Sequence, residues 1–342
     1  MGGTNKKKTH KPKFPFVSIC TPTFNRRPFI PIIIKCIENQ TYPKDRFEWI
    51  IVDDGTDKIE DLVAHIPYVK YYKYDTKMTL GKKRNITNEK ATGSILVYMD
   101  DDDYYPPERI SHAVERLSGS NALCAGSSAM FIYFKHINKM YQFGPYGPNH
   151  ATAATFAFKR ELLTMTRFNE ESCVAEEKQF LKDYSIPFVQ LDSSKSILVF
   201  SHNHNSFDKK ELLAQLPNPY VHESALTPSN FVKDADTLQF FMKDINTLLD
   251  NYEPGNSSHK PDVKKQLDKL KIDRERMAQE QMKHHQFQQN SQKILQDQHM
   301  KIQQLNLENT QLKDQVEYLN NKIKQLIMSQ ITKKREEQQG SL

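Results

Sequence analysis

Four aspartates in succession, Asp100 to Asp103, follow the apolar run Ser94 to Met99 and precede Tyr104-Tyr-Pro-Pro-Glu-Arg-Ile110. Carboxylates placed side by side repel one another, and a hard divalent cation with oxygen ligands is the commonest way to hold several together. In extended backbone, residues i and i+2 share a face, so Asp100 with Asp102, or Asp101 with Asp103, can aim at one site. The chemistry on offer there is the holding of a divalent cation beside a bound ligand. The competing reading is a solvated acidic loop.

The run ahead of the aspartates, with its β-branched and aromatic residues, reads as a buried central strand. Open α/β sheets bind ligands just beyond the carboxyl ends of such strands. Three further segments belong at that edge. A first strand, Phe16 to Cys20, exits into Thr21-Pro-Thr-Phe-Asn-Arg26. A second, Trp49 to Val52, exits into Asp53-Asp-Gly-Thr-Asp57, and Leu80-Gly-Lys-Lys-Arg-Asn85 opens a helix. Strands at Val69 to Tyr74 and Ile95 to Met99, with helices at Pro28 to Asn39, Ile59 to His65, Lys82 to Ala91 and Pro106 to Leu117, complete an alternating pattern. That pattern predicts an α/β fold with a doubly wound, mixed but mainly parallel sheet.

Further strands are expected at Ala129 to Phe134, Tyr141 to Phe143, Ala153 to Phe158, Phe188 to Leu191 and Ile197 to Phe200, completing the same sheet. Helices are expected at Ala175 to Tyr184 and over 230–251. The 342 residues are 37% hydrophobic with mean hydropathy -0.71, so part of the chain is expected to lie outside a core. We divide it into a basic tail (1–13), a catalytic domain (14–250), a linker (251–262) around Pro254-Gly-Asn-Ser-Ser258, and a helical region (263–337) with a coiled coil strongest over 295–330. There Ile302, Asn309, Val316 and Ile323 share one heptad position and Leu305, Leu312, Leu319 and Leu326 the other, a pattern that favours a parallel homodimer. A single helix docked on the domain is the alternative.

No stretch approaches the ~18 apolar residues of a membrane span, and the N-terminus lacks the apolar segment of a signal peptide. Lys6 stands where a myristoylation start wants Ser or Thr. Cys20, Cys36, Cys124 and Cys173 lack metal-site spacing and read as reduced packing residues. A soluble, cytoplasmic protein is expected, with weak attraction to anionic surfaces left open by the net charge of +6. The residues ahead of the heptads are Gln-rich and of mixed charge, so the DNA-binding zipper is excluded and no nucleic-acid partner is expected.

Taken together, VSICTPTFN, VDDGTD, GKKRN and the strand ending in DDDD resemble the motifs of family 2 glycosyltransferases of the GT-A fold, over about residues 15 to 207. DDGT stands for the more usual DDGS, and the acidic motif has an extra Asp. The resemblance implies a metal-dependent, inverting transfer of a sugar from a nucleotide donor, UDP by preference, to a hydroxyl of a glycan, protein or lipid. It implies that Asp54 accepts a hydrogen bond from the base, with Asp53 beside it and Pro22 and Phe24 shaping the ring pocket. Lys82, Lys83 and Arg84, at a helix start, would meet the phosphates together with Asp100 and Asp101. Asp100 and Asp102, with His202 of Ser201-His-Asn-His-Asn-Ser206, would hold Mn2+ or Mg2+; His204 is the alternative ligand. Glu177 takes the catalytic base position and Glu176 the acceptor contact, their order open because Glu replaces the usual Asp. Two other readings compete: a coiled-coil scaffold carrying a degenerate transferase, and a nucleotidyltransferase. The second lacks a glycine-rich phosphate loop after the first strand.

Overall fold

The computed structural model describes residues 14–339; the basic tail and the myristoylation start lie outside them. The chain divides into two units, the first ending at Asp268 and the second beginning at Lys269.

In the first unit the apolar runs become strands β1 (Val17–Thr23), β2 (Phe47–Asp53), β3 (Val69–Lys73) and β4 (Ile95–Tyr98), with β1, β2 and β4 buried throughout. They pair in parallel in the order β3-β2-β1-β4. Helices α1 (Ile30–Glu38), α2 (Glu60–Val63), α3 (Leu80–Lys90) and α4 (Arg109–Ser118) connect them. On α1, Ile30, Ile33, Cys36 and Ile37 are buried, the spacing of one helical face. Helix α3 is the exception: its buried residues include Lys83, Arg84, Asn85, Thr87 and Asn88.

The second half departs from the expected single sheet. Strands β5 (Cys124–Gly126), β8 (Ala157–Lys159) and β9 (Phe188–Gln190) extend the first sheet to seven strands, β8 running antiparallel to both neighbours. Strands β6 (Met130–Phe134), β7 (Lys139–Phe143), β10 (Leu198–Ser201) and β11 (Val221–Glu223) form a separate four-stranded sheet. One bridge ties β10 to the acidic run: Tyr104 and Leu198 exchange backbone hydrogen bonds of 3.0 and 2.9 Å.

Three predicted elements break up. Ala153–Thr155 is a 3-10 turn ahead of β8. The helix expected at Ala175 to Tyr184 shrinks to α5 (Glu177–Phe180), because Ala175, Lys182, Asp183 and Tyr184 take positive φ of 55, 49, 54 and 61°. The helix over 230–251 splits into α6 (Pro228–Phe231), α7 (Ala235–Gln239), a π-helical turn and α8 (Ile245–Asp250), with Asp234 capping α7 through Thr237 N. The 251–262 stretch, expected as a linker, packs on the domain. The Asn25 side-chain amide donates to Pro254 O at 2.8 Å, and Gly255 and Lys260 are buried.

The last helix, α9 (Pro261–Gln339), begins in the first unit and makes up the second. The heptad residues Ile302, Leu305, Leu312, Val316, Leu319, Ile323 and Leu326 are each half or more exposed. Among the described residues no helix is long and apolar enough to cross a membrane.

Gly81 shows how closely the loop of residues 169–172 rides on α3. A Cβ there would stand 1.9 Å from Asn169 O, and its N–H donates to Ser172 O at 2.8 Å. Gly81→Ala is therefore expected to cost about 1–3 kcal/mol, as overpacking does. Thermal melts check it, and an unchanged Tm would show that the loop yields freely.

Candidate functional site

The acidic run at the end of β4 is held by arginines from two other segments. Arg84, on α3, meets Asp100 with two bonds, Nη1 to Oδ1 at 3.2 Å and Nη2 to Oδ2 at 3.1 Å, while its Nε donates to Glu176 Oε1 at 2.7 Å. Its guanidinium also lies 4.6 Å from the Tyr98 ring centroid. Burial works against its charge, but Asp100 and Glu176 together hold its pKa above the ordinary value. Arg26, just beyond β1, reaches Asp102 Oδ2 at 3.1 Å and Asp101 Oδ1 at 3.5 Å, and donates to His204 O at 2.8 Å.

These partners divide the four carboxylates. Burial pushes Asp101 up to about 7, against the pull of Arg26. Burial also opposes the charge of Asp102, yet Arg26 and His202 hold it well below the usual carboxylate range. Asp103 is raised by burial and by Asp102, and its Oδ1 has no hydrogen-bond partner among the described residues. One strongly acidic group stands next to two that resist ionisation, as like charges in one buried segment must.

His202 follows β10, which the Tyr104 bridge brings alongside the run. Its Nε2 lies 3.4 Å from Asp102 Oδ2 and 2.7 Å from the Asn205 amide nitrogen, and Asn205 Oδ1 accepts from His202 N at 2.9 Å, closing the turn. Burial lowers the ring to about 3, which keeps it neutral and capable of metal ligation. Asp102 and His202 are donors of the types a divalent cation takes, each also engaged within the protein, by Arg26 and by Asn205. Asp100 is committed to Arg84, and no group of three or more His, Cys, Asp or Glu side chains among the described residues has a metal-holding arrangement. His204 does not reach the aspartates through its ring; its Nδ1 faces Gly255.

A cleft of about 360 Å³ opens over this network. Of the residues singled out from the sequence, Pro22, Phe24, Lys83, Arg84, Asp100, Asp101, Asp102, Glu176 and Glu177 line it. Glu176 is buried against Arg84, while Glu177, the first residue of α5, is partly exposed on the cleft wall. Ala175 precedes them in left-handed backbone, at a cost an alanine rarely bears.

Four predicted residues do not line the cleft. The Asp54 carboxylate is fully buried, accepting from Lys83 Nζ at 2.8 Å and from Met78 N, so its oxygens are satisfied by the protein rather than turned to a base. Asp53 closes its own turn, accepting from Gly55 N at 2.8 Å, Ile59 N at 3.2 Å and Tyr71 OH at 2.6 Å. Lys82 is exposed on the outer face of α3, away from the cleft lining. His202 lies against Asp102, outside the cleft lining. Conversely, Arg26, Lys77, Lys260 and Asp262 line the cleft without having been singled out. Arg26 was readable from its place beside the first strand exit, whereas Lys260 and Asp262 carry no local signal.

The Gly-Lys-Lys-Arg-Asn segment now has a role at nearly every position. Lys83 neutralises Asp54, and Arg84 joins Asp100 to Glu176. The Asn85 amide both donates to Phe168 O at 2.9 Å and accepts from Phe168 N at 3.0 Å, anchoring the loop that leads to Glu176. The model of the glycosyl transferase family 2 matches residues 18–175, the span that holds the strand exits, this helix and the acidic run. Those residues form a family 2 glycosyltransferase domain. Within the domain the chain is 27% identical over 124 residues to glycosyltransferase AglE of Haloferax volcanii, covering 35% of this chain and 41% of the relative. It is 29% identical over 109 residues to the poly(ribitol-phosphate) beta-N-acetylglucosaminyltransferase TarS of Staphylococcus aureus, covering 28% and 18%. The chain thus spans less than half the length of these relatives. The crystal structure of S. aureus TarS 1-349 with UDP-GlcNAc superposes at a TM-score of 0.45 and 22% identity, over 54% of this chain and 58% of that one. Glu176, Glu177, His202 and Lys260 all lie beyond the matched span.

Removing the Arg84 charge leaves two carboxylates facing each other in the domain. Arg84→Met is expected to destabilise by about 3–5 kcal/mol, more than Asp100→Asn or Glu176→Gln alone. Urea unfolding of the three variants checks the order, and an Arg84→Met midpoint equal to the others would show that the three groups do not act as a unit.

Proposed function

We propose that the chain transfers a sugar from a nucleotide donor to an acceptor hydroxyl, inverting the anomeric centre. One observation carries this reading: Arg84 joins Asp100 to Glu176 across a single cleft, so the acidic strand end and the acid pair opening α5 face the same space. A nucleotide sugar needs an aromatic and apolar wall for its base, cations for its diphosphate and an acid group beside the anomeric carbon. Pro22 and Phe24 supply the first, Phe24 with Lys77 and Lys83 at 5.4 and 5.6 Å from its ring centroid. Arg26 and the two lysines supply the second. Because Lys83 and Met78 occupy Asp54, the choice of nucleoside passes from that carboxylate to the cleft walls. UDP remains the first donor to test.

Glu177 is the group we assign as base, taking the proton from the attacking hydroxyl, with Glu176 holding Arg84 in place. Asp102 and His202 would hold Mn2+ or Mg2+, which would act as a Lewis acid toward the departing diphosphate. The acceptor is a hydroxyl of a glycan, protein or lipid. The exposed heptad seam of the second unit would be covered by a second copy of the chain, since β-branched residues at one position and Leu at the other favour two parallel strands.

Glu177→Gln should lower kcat about 10²–10⁴-fold while nucleotide affinity, read by calorimetry, stays as in the wild type; near-normal turnover would remove Glu177 from the base role. For the tail, Leu312→Lys together with Leu319→Lys should convert a dimer to a monomer on light scattering. A mass that does not change between the two proteins would exclude the seam as the interface.

A further inference from the structure

Three edges of the cleft are tied to one segment that follows the matched family span by more than seventy residues. Tyr252 OH donates to Asp57 Oδ2 at 2.8 Å, reaching the turn after β2. Asn25, beyond β1, donates to Pro254 O at 2.8 Å, and Gly255 lies so close that a Cβ would stand 2.8 Å from Asn25 O and 2.7 Å from His204 Nδ1. Asp262 pairs with Lys77 and accepts from Cys173 Sγ at 3.5 Å. Gln266 Oε1 accepts from the backbone N–H groups of Cys173 and Val174 at 2.6 and 3.0 Å, and its amide donates to Glu171 O at 3.0 Å. The segment 252–266 is a strap that fixes the strand exits on one side and the loop bearing Glu176 on the other.

On this strap Lys260 is 94% buried, its residue being 6% exposed, and it lines the cleft. Among the described residues its Nζ makes one hydrogen bond, to Ser206 Oγ at 3.1 Å. Among the described residues no carboxylate lies within the 4.0 Å of an ion pair. In its protonated form the group has three donors, of which Ser206 takes one. Its electrostatic surroundings are mixed: burial is the main influence lowering Lys260 to about 6, with Arg26 and Lys83 acting the same way and Asp102 and Asp101 against it. A buried amine with spare donors, beside Arg26 and Lys83 on a cleft wall, takes up its charge when an anion arrives.

We infer that the 252–266 strap is a working wall of the donor site and that Lys260 Nζ binds the diphosphate of the nucleotide sugar. This rests on the function proposed above. It adds to that function a binding residue from outside the family span, and a reason for the strap: Asp262 and Gln266 set the position of Lys260 while holding the acid-bearing loop.

The test uses the full chain with Mn2+ and calorimetric titration of whichever of UDP, GDP and TDP the wild type binds best, beside the matching nucleoside. Lys260→Met should weaken the diphosphate about 10–100-fold, the span of a hydrogen bond to a charged group. The nucleoside should bind as before to within about twofold, and Lys260→Arg should recover most of the loss. A Lys260→Met protein with wild-type Tm and undiminished diphosphate affinity overturns the inference and leaves the transferase reading standing. A wild type that binds none of the three diphosphates overturns both. A measurement on the wild type alone covers the case in which the variant does not fold. The diphosphate, and not the nucleoside, should protect Lys260 from an amine-acylating reagent followed by mass spectrometry; equal labelling with and without diphosphate overturns the assignment.

Discussion

The structure turns on the need to neutralise a row of acids at the end of a buried strand. Two arginines from different places in the sequence do it: Arg84 takes Asp100, and Arg26 takes Asp101 and Asp102. Buried ion pairs of this kind return little net stability, because desolvation offsets most of the Coulomb gain. What they provide is position. Each arginine has a second commitment, Arg84 to Glu176 and Arg26 to the carbonyl of His204, so the acidic run is tied to the loop ahead of α5 and to the turn after β10. The cleft takes its shape from these ties.

That arrangement accounts for a helix whose inward face is polar. Lys83, Arg84 and Asn85 of α3 each meet a different segment: the turn after β2, the acidic run and the loop at Phe168. The close approach at Gly81 completes the contact. Hydrophobic burial holds the sheet and its other helices, as on α1 and α4. At the mouth of the cleft, hydrogen bonds and ion pairs take over, and there the groups that hold the fold are the groups that would meet a ligand.

Much of this was legible in the sequence. The strands before the active edge were readable because continuous apolar runs leave few alternatives, and each of β1, β2 and β4 is within three residues of expectation at either end. Topology gathered the acidic run and the strand exits at one edge, and the family resemblance added the acid pair. What the sequence concealed was partnership. Asp53 and Asp54 read as base contacts, with a bare turn as the alternative, and nothing local told that Tyr71 and Lys83 would meet their carboxylates. The broken helix after Ala175 depends on left-handed residues that carry no glycine signature. Lys260 and Asp262 sit in a stretch whose Pro, Gly, Asn and Ser content is that of a linker; they matter because of where the chain returns, which local composition does not encode.

Helix α3 carries a broader consequence. Because its inward positions are filled by charged and amide side chains that each satisfy a distant partner, its tolerance to substitution runs opposite to that of an ordinary amphipathic helix. Leucine at Arg84 or Asn85 would be as foreign there as aspartate at Ile33. Homologues compared by hydropathy alone would score this helix as solvent-facing and freely variable, when its inward face has little room for drift.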